Sequence, residues 1–286
     1  MENKAKNTFI FCLGIILIGV LIQILGKVKD DSLVFPSIFV ILKAFFRLLA
    51  TPRTYHLIFT TLSHVFVSLI ISTVLGISIG MLEGLSSFFK KLLKPLMTML
   101  RSIPMIVLVV IIMVLTKYKN VPYIAASLIL VPLISEATAE GCKRIDTELI
   151  DVYRLNSSFS TRILFSVYLP LMAGYLRQAY INAVGMGIKI VITTEYLVQT
   201  KNSLGKAVFS STYFNDYDEI YAWALIMILL VLILSEIPRL AMKFLRPLWS
   251  GGEAVAKQCK RARQRKRSSV SEPRNSGWQL TRPKSP

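Results

Sequence analysis

Residues 147–170 read TELIDVYRLNSSFSTRILFSVYLP, a polar, amphipathic stretch set between apolar segments of membrane length. Leu149, Val152 and Tyr153 give its first half one apolar side, and Ile163, Leu164 and Val167 do the same for its second half. Two short helices joined by a turn at Asn156-Ser157-Ser158 account for this pattern. Asn tolerates the left-handed conformation better than other non-glycine residues, and a Ser caps the following helix. Pro170 suits the first turn of the next helix, where its missing N–H costs nothing. The stretch reads as a docking surface from which the chain returns to the membrane at Leu169-Pro170.

The flanking sequence supplies the membrane. Of 286 residues, 53% are hydrophobic and only 17% charged, too apolar for an ordinary soluble domain. Hydropathy predicts about six spans, at 8–26, 57–82, 96–116, 121–135, 171–194 and 220–242, the fourth of them short. The apolar runs are continuous rather than alternating, which excludes a barrel and predicts an all-α integral membrane protein. The first span starts with Lys4 and Lys6, and no small-x-small cleavage site precedes Lys27, so a retained anchor is expected. Positive charge puts the N-terminus inside, together with Lys90, Lys91, Lys94, Lys143, Arg144, Arg154, Arg162 and the C-terminal tail. Residues 27–56 are then external despite Lys27, Lys29, Lys43, Arg47 and Arg53. Phe35, Phe39, Phe45, Phe46 and Leu48 predict an interfacial helix there, with snorkelling bases. The expected organisation is an anchor and external segment over 1–56, a transmembrane domain over 57–247 and a basic, disordered cytoplasmic tail over 248–286.

Several functions are excluded by what the residues lack. Cys12, Cys142 and Cys259 are dispersed, and His56 and His64 are isolated, so neither a disulfide framework nor a metal site is expected. No nucleophile–base pair converges, and no G-x-x-x-x-G-K-[ST] loop exists; Gly205-Lys206-Ala207 lacks both the first Gly and the hydroxyl residue. The chain is not expected to be an enzyme or to bind a cofactor. Much of its net charge of +18 sits in the tail, where KRARQRKR precedes Ser-, Pro- and Gly-rich sequence. That composition points to a solvated tail or to attraction by anionic lipids, not to nucleic acid.

The spans carry two kinds of pattern. Ser72, Gly76, Gly80 and Gly84 recur every four residues, and Ala179, Ala183 and Gly187 form a second small-residue ridge, both suited to close helix packing. Thr61, His64 and Ser68 align on a neighbouring stripe, for packing or a water-filled path. In the fifth span Tyr175, Gln178, Asn182, Gly185, Lys189, Thr193 and Tyr196 fall on one face. His64, Gln178, Asn182, Lys189, Thr193 and Tyr196 are the candidates for a translocation path. Lys189 has three open readings: contact with an anionic solute, snorkelling to the interface, or an ion pair with Glu195.

The stretch at 147–170 also resembles the coupling loop of binding-protein-dependent ABC transporter permeases. Their pattern is Glu-Ala-Ala, three residues, Gly, nine residues, then Ile-x-Leu-Pro. Asp151 takes the Glu place, Val152 and Tyr153 the Ala places, Ser157 the Gly place and Val167 the Ile place, while Leu169-Pro170 match outright. Further similarity runs through Thr60-Thr61-Leu62, Gly76-Ile77-Ser78-Ile79-Gly80, Pro95, Leu100-Arg101-Ser102-Ile103-Pro104, Pro132-Leu133-Ile134, Gly141 and Ile145-Asp146. It continues through Glu148-Leu149, Tyr175-Leu176-Arg177, Glu195-Tyr196-Leu197 and Gly205 to near residue 247, with the tone of the nitrate, sulfonate, taurine and vitamin-precursor branch.

The resemblance implies that Glu148, Leu149, Asp151, Val152, Tyr153, Ser157, Leu169 and Pro170 form the coupling loop to separate ABC ATPase subunits, which would hold ATP and Mg. Asp151, Val152-Tyr153 and Ser157 imply a dedicated ATPase. A second permease copy, most simply a homodimer, an external solute-binding protein and a bacterial inner (cytoplasmic) membrane are also implied. The solute would be a sulfonate- or nitrate-like anion or a vitamin precursor. The competing reading is a secondary transporter or channel without an ATPase, but Glu136, Glu140 and Glu195 lie near span ends rather than at midplane, where coupling ions bind.

Overall fold

The computed structural model describes Val34 and residues 36–143, 169–238 and 240. In it α1 covers Ile38–Ala50, a helix within the segment where the aromatic and basic residues predicted one. Ile41, Ala44 and Leu48 turn inward, while Phe39 and Phe46 are 78% and 65% exposed. The chain turns at Thr51, and Pro52 opens α2, where a missing N–H is harmless. α2 spans Pro52–Leu85, α3 Ser87–Ser102 and α4 Met105–Leu115. A single 3-10 turn at Tyr118–Asn120 leads into α5, Val121–Lys143. α6 covers Leu169–Val198, α7 Leu204–Tyr213 and α8 Tyr217–Pro238. Among the described residues there is no strand.

Four of these helices, α2, α5 with its leading turn, α6 and α8, are long and apolar enough to cross a membrane. The span expected at 8–26 lies outside the described residues. The span expected at 96–116 is not one helix: α3 and α4 meet at a 103° bend. Pro104 cannot continue a helix and holds Ile103 extended, at ψ 125°. Lys90, Lys91, Lys94 and Arg101 keep α3 from lying wholly in hydrocarbon, and α4, with 11 residues, is only about 16 Å long. The fourth span also differs, because hydropathy ends it at 135 while α5 continues to Lys143. Ser135, Thr138, Ala139, Gly141 and Cys142 are buried against protein, so this part of the helix needs small residues rather than apolar ones.

The close approach of α2 and α5 fixes their direction. A Cβ on Gly76 would sit 2.8 Å from Ile134 Cβ, one on Gly80 2.6 Å from Thr138 Cβ, and one on Gly84 2.5 Å from Cys142 Cβ. Further along, the Ser68 hydroxyl donates to the Tyr123 carbonyl at 3.2 Å and Ser72 to that of Ser127 at 3.3 Å. Both sets of contacts ascend together, so the two helices are parallel. The segment 86–117 must therefore carry the chain back across the bundle, which makes the bent pair a fifth crossing. α6 runs the other way, with Met172 beside Cys142 and Glu195 beside His64. At the centre Val65, Ala126, Leu130, Ala183, Val184, Ile188 and Val191 form one apolar core. A second core, of Ala44, Leu48, Leu57, Leu204, Ala222, Trp223 and Ile226, ties α1, α7 and α8 to α2.

Candidate translocation and coupling sites

One end of the bundle is organised around a buried carboxylate. Glu195, on the last turn of α6, has no exposed surface, so its charge must be met by donors within the protein. The Nδ1–H of His64, from α2, donates to Oε1 at 2.6 Å. Oε2 accepts from the Thr61 hydroxyl at 2.9 Å and from the Gly205 amide at 3.1 Å. Thr61 in turn accepts from the Leu204 amide at 3.0 Å. These bonds satisfy the opening N–H groups of α7, and the Ser203 side chain accepts from the Lys206 amide. Tyr123 packs edge-on against the imidazole, ring centroids 4.6 Å apart. Only glycine fits at 205, since a Cβ there would lie 2.5 Å from the Tyr196 amide nitrogen and overlap Glu195.

The polar face of α6 lies elsewhere. Gln178, Asn182, Lys189 and Thr193 are exposed on the single chain, Tyr196 is half-buried against Phe209, and Gln178 donates to Asn182 at 3.3 Å. Lys189 and Thr193 border a hollow of about 410 Å³ between α6 and α8, lined otherwise by apolar residues such as Ile192, Met227 and Val231. The structure does not bring His64 onto this face. Its imidazole is buried on the opposite side of α6, with the carboxylate that the sequence had offered to Lys189. Ala183 is fully buried, and a Cβ on Gly187 would touch Leu130 at 3.3 Å. The Glu195 network was missed by sequence reasoning, although an ionisable residue within one span, His64, and another at the end of a second, Glu195, are a signal to seek a shared partner.

The other end of the bundle is charged. Arg101 pairs with Glu136 at 2.7 Å and donates to the Pro132 carbonyl at 2.8 Å; Lys143 pairs with Glu140 at 2.9 Å. With Glu83, Lys90 and Lys94 these residues line a hollow of about 330 Å³. Cys142 Sγ and Met172 Sδ are 3.2 Å apart, so the end of α5 and the start of α6 are side by side. The described residues that flank 144–168 therefore lie together at this end. Glu148, Leu149, Asp151, Val152, Tyr153 and Ser157 lie outside the described residues; Leu169 and Pro170 are the first two residues of α6.

The fold is that of a multi-pass helical membrane protein built on closely packed parallel and antiparallel spans. Residues 72–250 match the binding-protein-dependent transport system inner membrane component family, and the chain belongs to that family. It is a permease subunit of an ABC importer, which works as a dimer with ATPase activity in separate subunits. Among solved structures it is similar to an inward-facing MetNI methionine ABC transporter, with a TM-score of 0.57 and 19% identity over 69% of this chain and 98% of that one. At that identity the likeness shows the fold alone. No curated protein matches the chain.

Proposed function

We propose that this chain forms, as a homodimer in a bacterial inner membrane, the path by which a small solute delivered by an external binding protein moves inward. The solute class is a sulfonate- or nitrate-like anion or a vitamin precursor. The transmembrane unit is 57–247, preceded by an anchor and interfacial segment and followed by a basic tail. ATP and Mg belong to the partner ATPases, and the chain itself binds no cofactor. The observation that carries the reading is that the end of α5 and the start of α6 lie side by side, at the charged end of the bundle. This supports a compact coupling segment on the cytoplasmic side, with both termini on that side. Asp151, Val152 and Tyr153 would seat in a groove on a dedicated ATPase. The exposed Gln178, Asn182, Lys189 and Thr193 would be covered by the second copy and line the path.

Two expected outcomes test this. Cysteines at Leu149 and Tyr153 should crosslink to the co-purified ATPase, and Asp151→Lys should abolish ATP-driven uptake in vesicles while leaving the melting temperature within a few degrees. Capture only through residues 38–50 would invert the topology, and uptake that persists without ATP along an ion gradient would overturn the importer reading. Lys189→Gln should leave the fold intact, because the side chain is exposed, and lower uptake at least ten-fold; unchanged uptake would remove Lys189 from the path.

A further inference from the structure

The end of the bundle that carries Glu195 also holds a hollow of about 600 Å³, lined by His64, Lys119, Asn120, Gln199, Thr200 and Lys201 together with Tyr118, Tyr123 and Val198. Its chemistry is one-sided. Lys119 and Lys201 are exposed and have no ion pair among the described residues, and no described carboxylate lines the hollow. Glu195 is adjacent but buried, and its carboxylate already accepts from His64, Thr61 and Gly205. The imidazole of His64, which forms part of the wall, has its Nδ1 bonded to that carboxylate. The Thr200 hydroxyl is buried without a partner. Gln199, in the left-handed conformation at φ 53°, and the Thr200 amide, bonded to the Glu195 carbonyl at 3.1 Å, hold this wall in place. The neighbouring hollow, which shares Lys201, differs in kind because Arg53 and Lys206 there face Asp216 and Glu219.

Two unpaired ammonium groups, two amides and an unsatisfied hydroxyl around one recess match a ligand with several acceptor oxygens and a negative charge. Recesses lined by one sign of charge concentrate ions of the opposite sign. We propose that this hollow is a subsite for a small oxyanion, in which Lys119 and Lys201 supply the charge and Asn120, Gln199 and Thr200 the orienting hydrogen bonds. The proposal rests on the importer reading above. It names the side of the membrane where solute is first held, and of the two solute classes it selects the anion over the neutral vitamin precursor.

The test is a thermal melt of the purified full chain in lipid nanodiscs, at constant ionic strength in chloride. Methanesulfonate and nitrate should raise Tm in a saturable way, and dimethyl sulfone, a neutral molecule of nearly the same shape as methanesulfonate, should not. Lys119→Gln with Lys201→Gln, both at exposed positions, should raise the half-saturating methanesulfonate concentration at least ten-fold. Arg53→Gln with Lys206→Gln should leave it unchanged. No response to either anion, an equal response to the sulfone, or a response that survives in the Lys119/Lys201 variant overturns the proposal. If the anion binds as expected but ATP-driven uptake fails, the importer reading falls and the subsite stands; uptake without oxyanion binding removes the subsite alone.

Discussion

Gly80→Ala is expected to lower the melting temperature of the purified protein by several degrees and to reduce its yield from membranes. An added Cβ would overlap the Ser135 carbonyl oxygen and lie 2.6 Å from Thr138 Cβ and 3.0 Å from Ser135 Cα. Two of these three atoms are backbone, which cannot swing aside, so α2 and α5 must part along their length. Overpacking of this kind costs about 1–3 kcal/mol, and more where no rotamer offers relief. Alanine is the better helix former by about 1 kcal/mol, so a measured loss cannot come from propensity. Gly174→Ala is the control, because nothing lies within 4 Å of its added carbon, and it should be neutral or slightly stabilising. A Gly80→Ala protein that melts with the parent would show that the two helices are not in backbone contact.

The second large effect is expected at Glu195. Glu195→Ala leaves the His64 Nδ1–H, the Thr61 hydroxyl and the Gly205 amide without their acceptor in a site closed to water. Removing one partner from a buried pair of this kind costs roughly 3–5 kcal/mol. Glu195→Gln keeps the shape but turns an NH2 group towards one of these donors, and should cost about 1–3 kcal/mol. Combining Glu195→Gln with His64→Leu should be less harmful than the sum of the two single changes, by about 1 kcal/mol or more in a double-mutant cycle. Strict additivity in denaturation measurements would mean that the two side chains do not interact.

Hydropathy was sufficient to find α2, α5, α6 and α8, because lipid imposes a length and a composition that a sliding average detects. The four-residue spacing of Gly76, Gly80 and Gly84 likewise marked the face on which α2 meets a neighbour, though not which neighbour. What was not legible depended on contacts between distant residues. The second half of α5 is polar enough to look like loop, and it is helical because its small residues fit the glycines of α2. The bend at Ile103-Pro104 has a local cause, but an apolar average taken across 96–116 hides it. Glu195 and Lys189 share a helix and so suggested each other, while the partner actually used is 131 residues away in sequence. α7 had only its Ser203 cap as a signal, and its position depends on a carboxylate and a hydroxyl from other helices.

The three central helices have a mechanical consequence. α6 is unbroken for 30 residues, about 45 Å, from the point where residues 144–168 rejoin the bundle to the turn that bears Glu195. Along that length it is clamped at both ends, by Met172 on Cys142 and by Glu195 on His64 and Gly205. Between the clamps it is packed into the central apolar core through Ala183, Val184, Ile188 and Val191. A push of an ångström applied at one surface is thus delivered at the far surface as a tilt of the same stiff rod. The sharp bend among the described helices lies elsewhere, at the 103° elbow between α3 and α4.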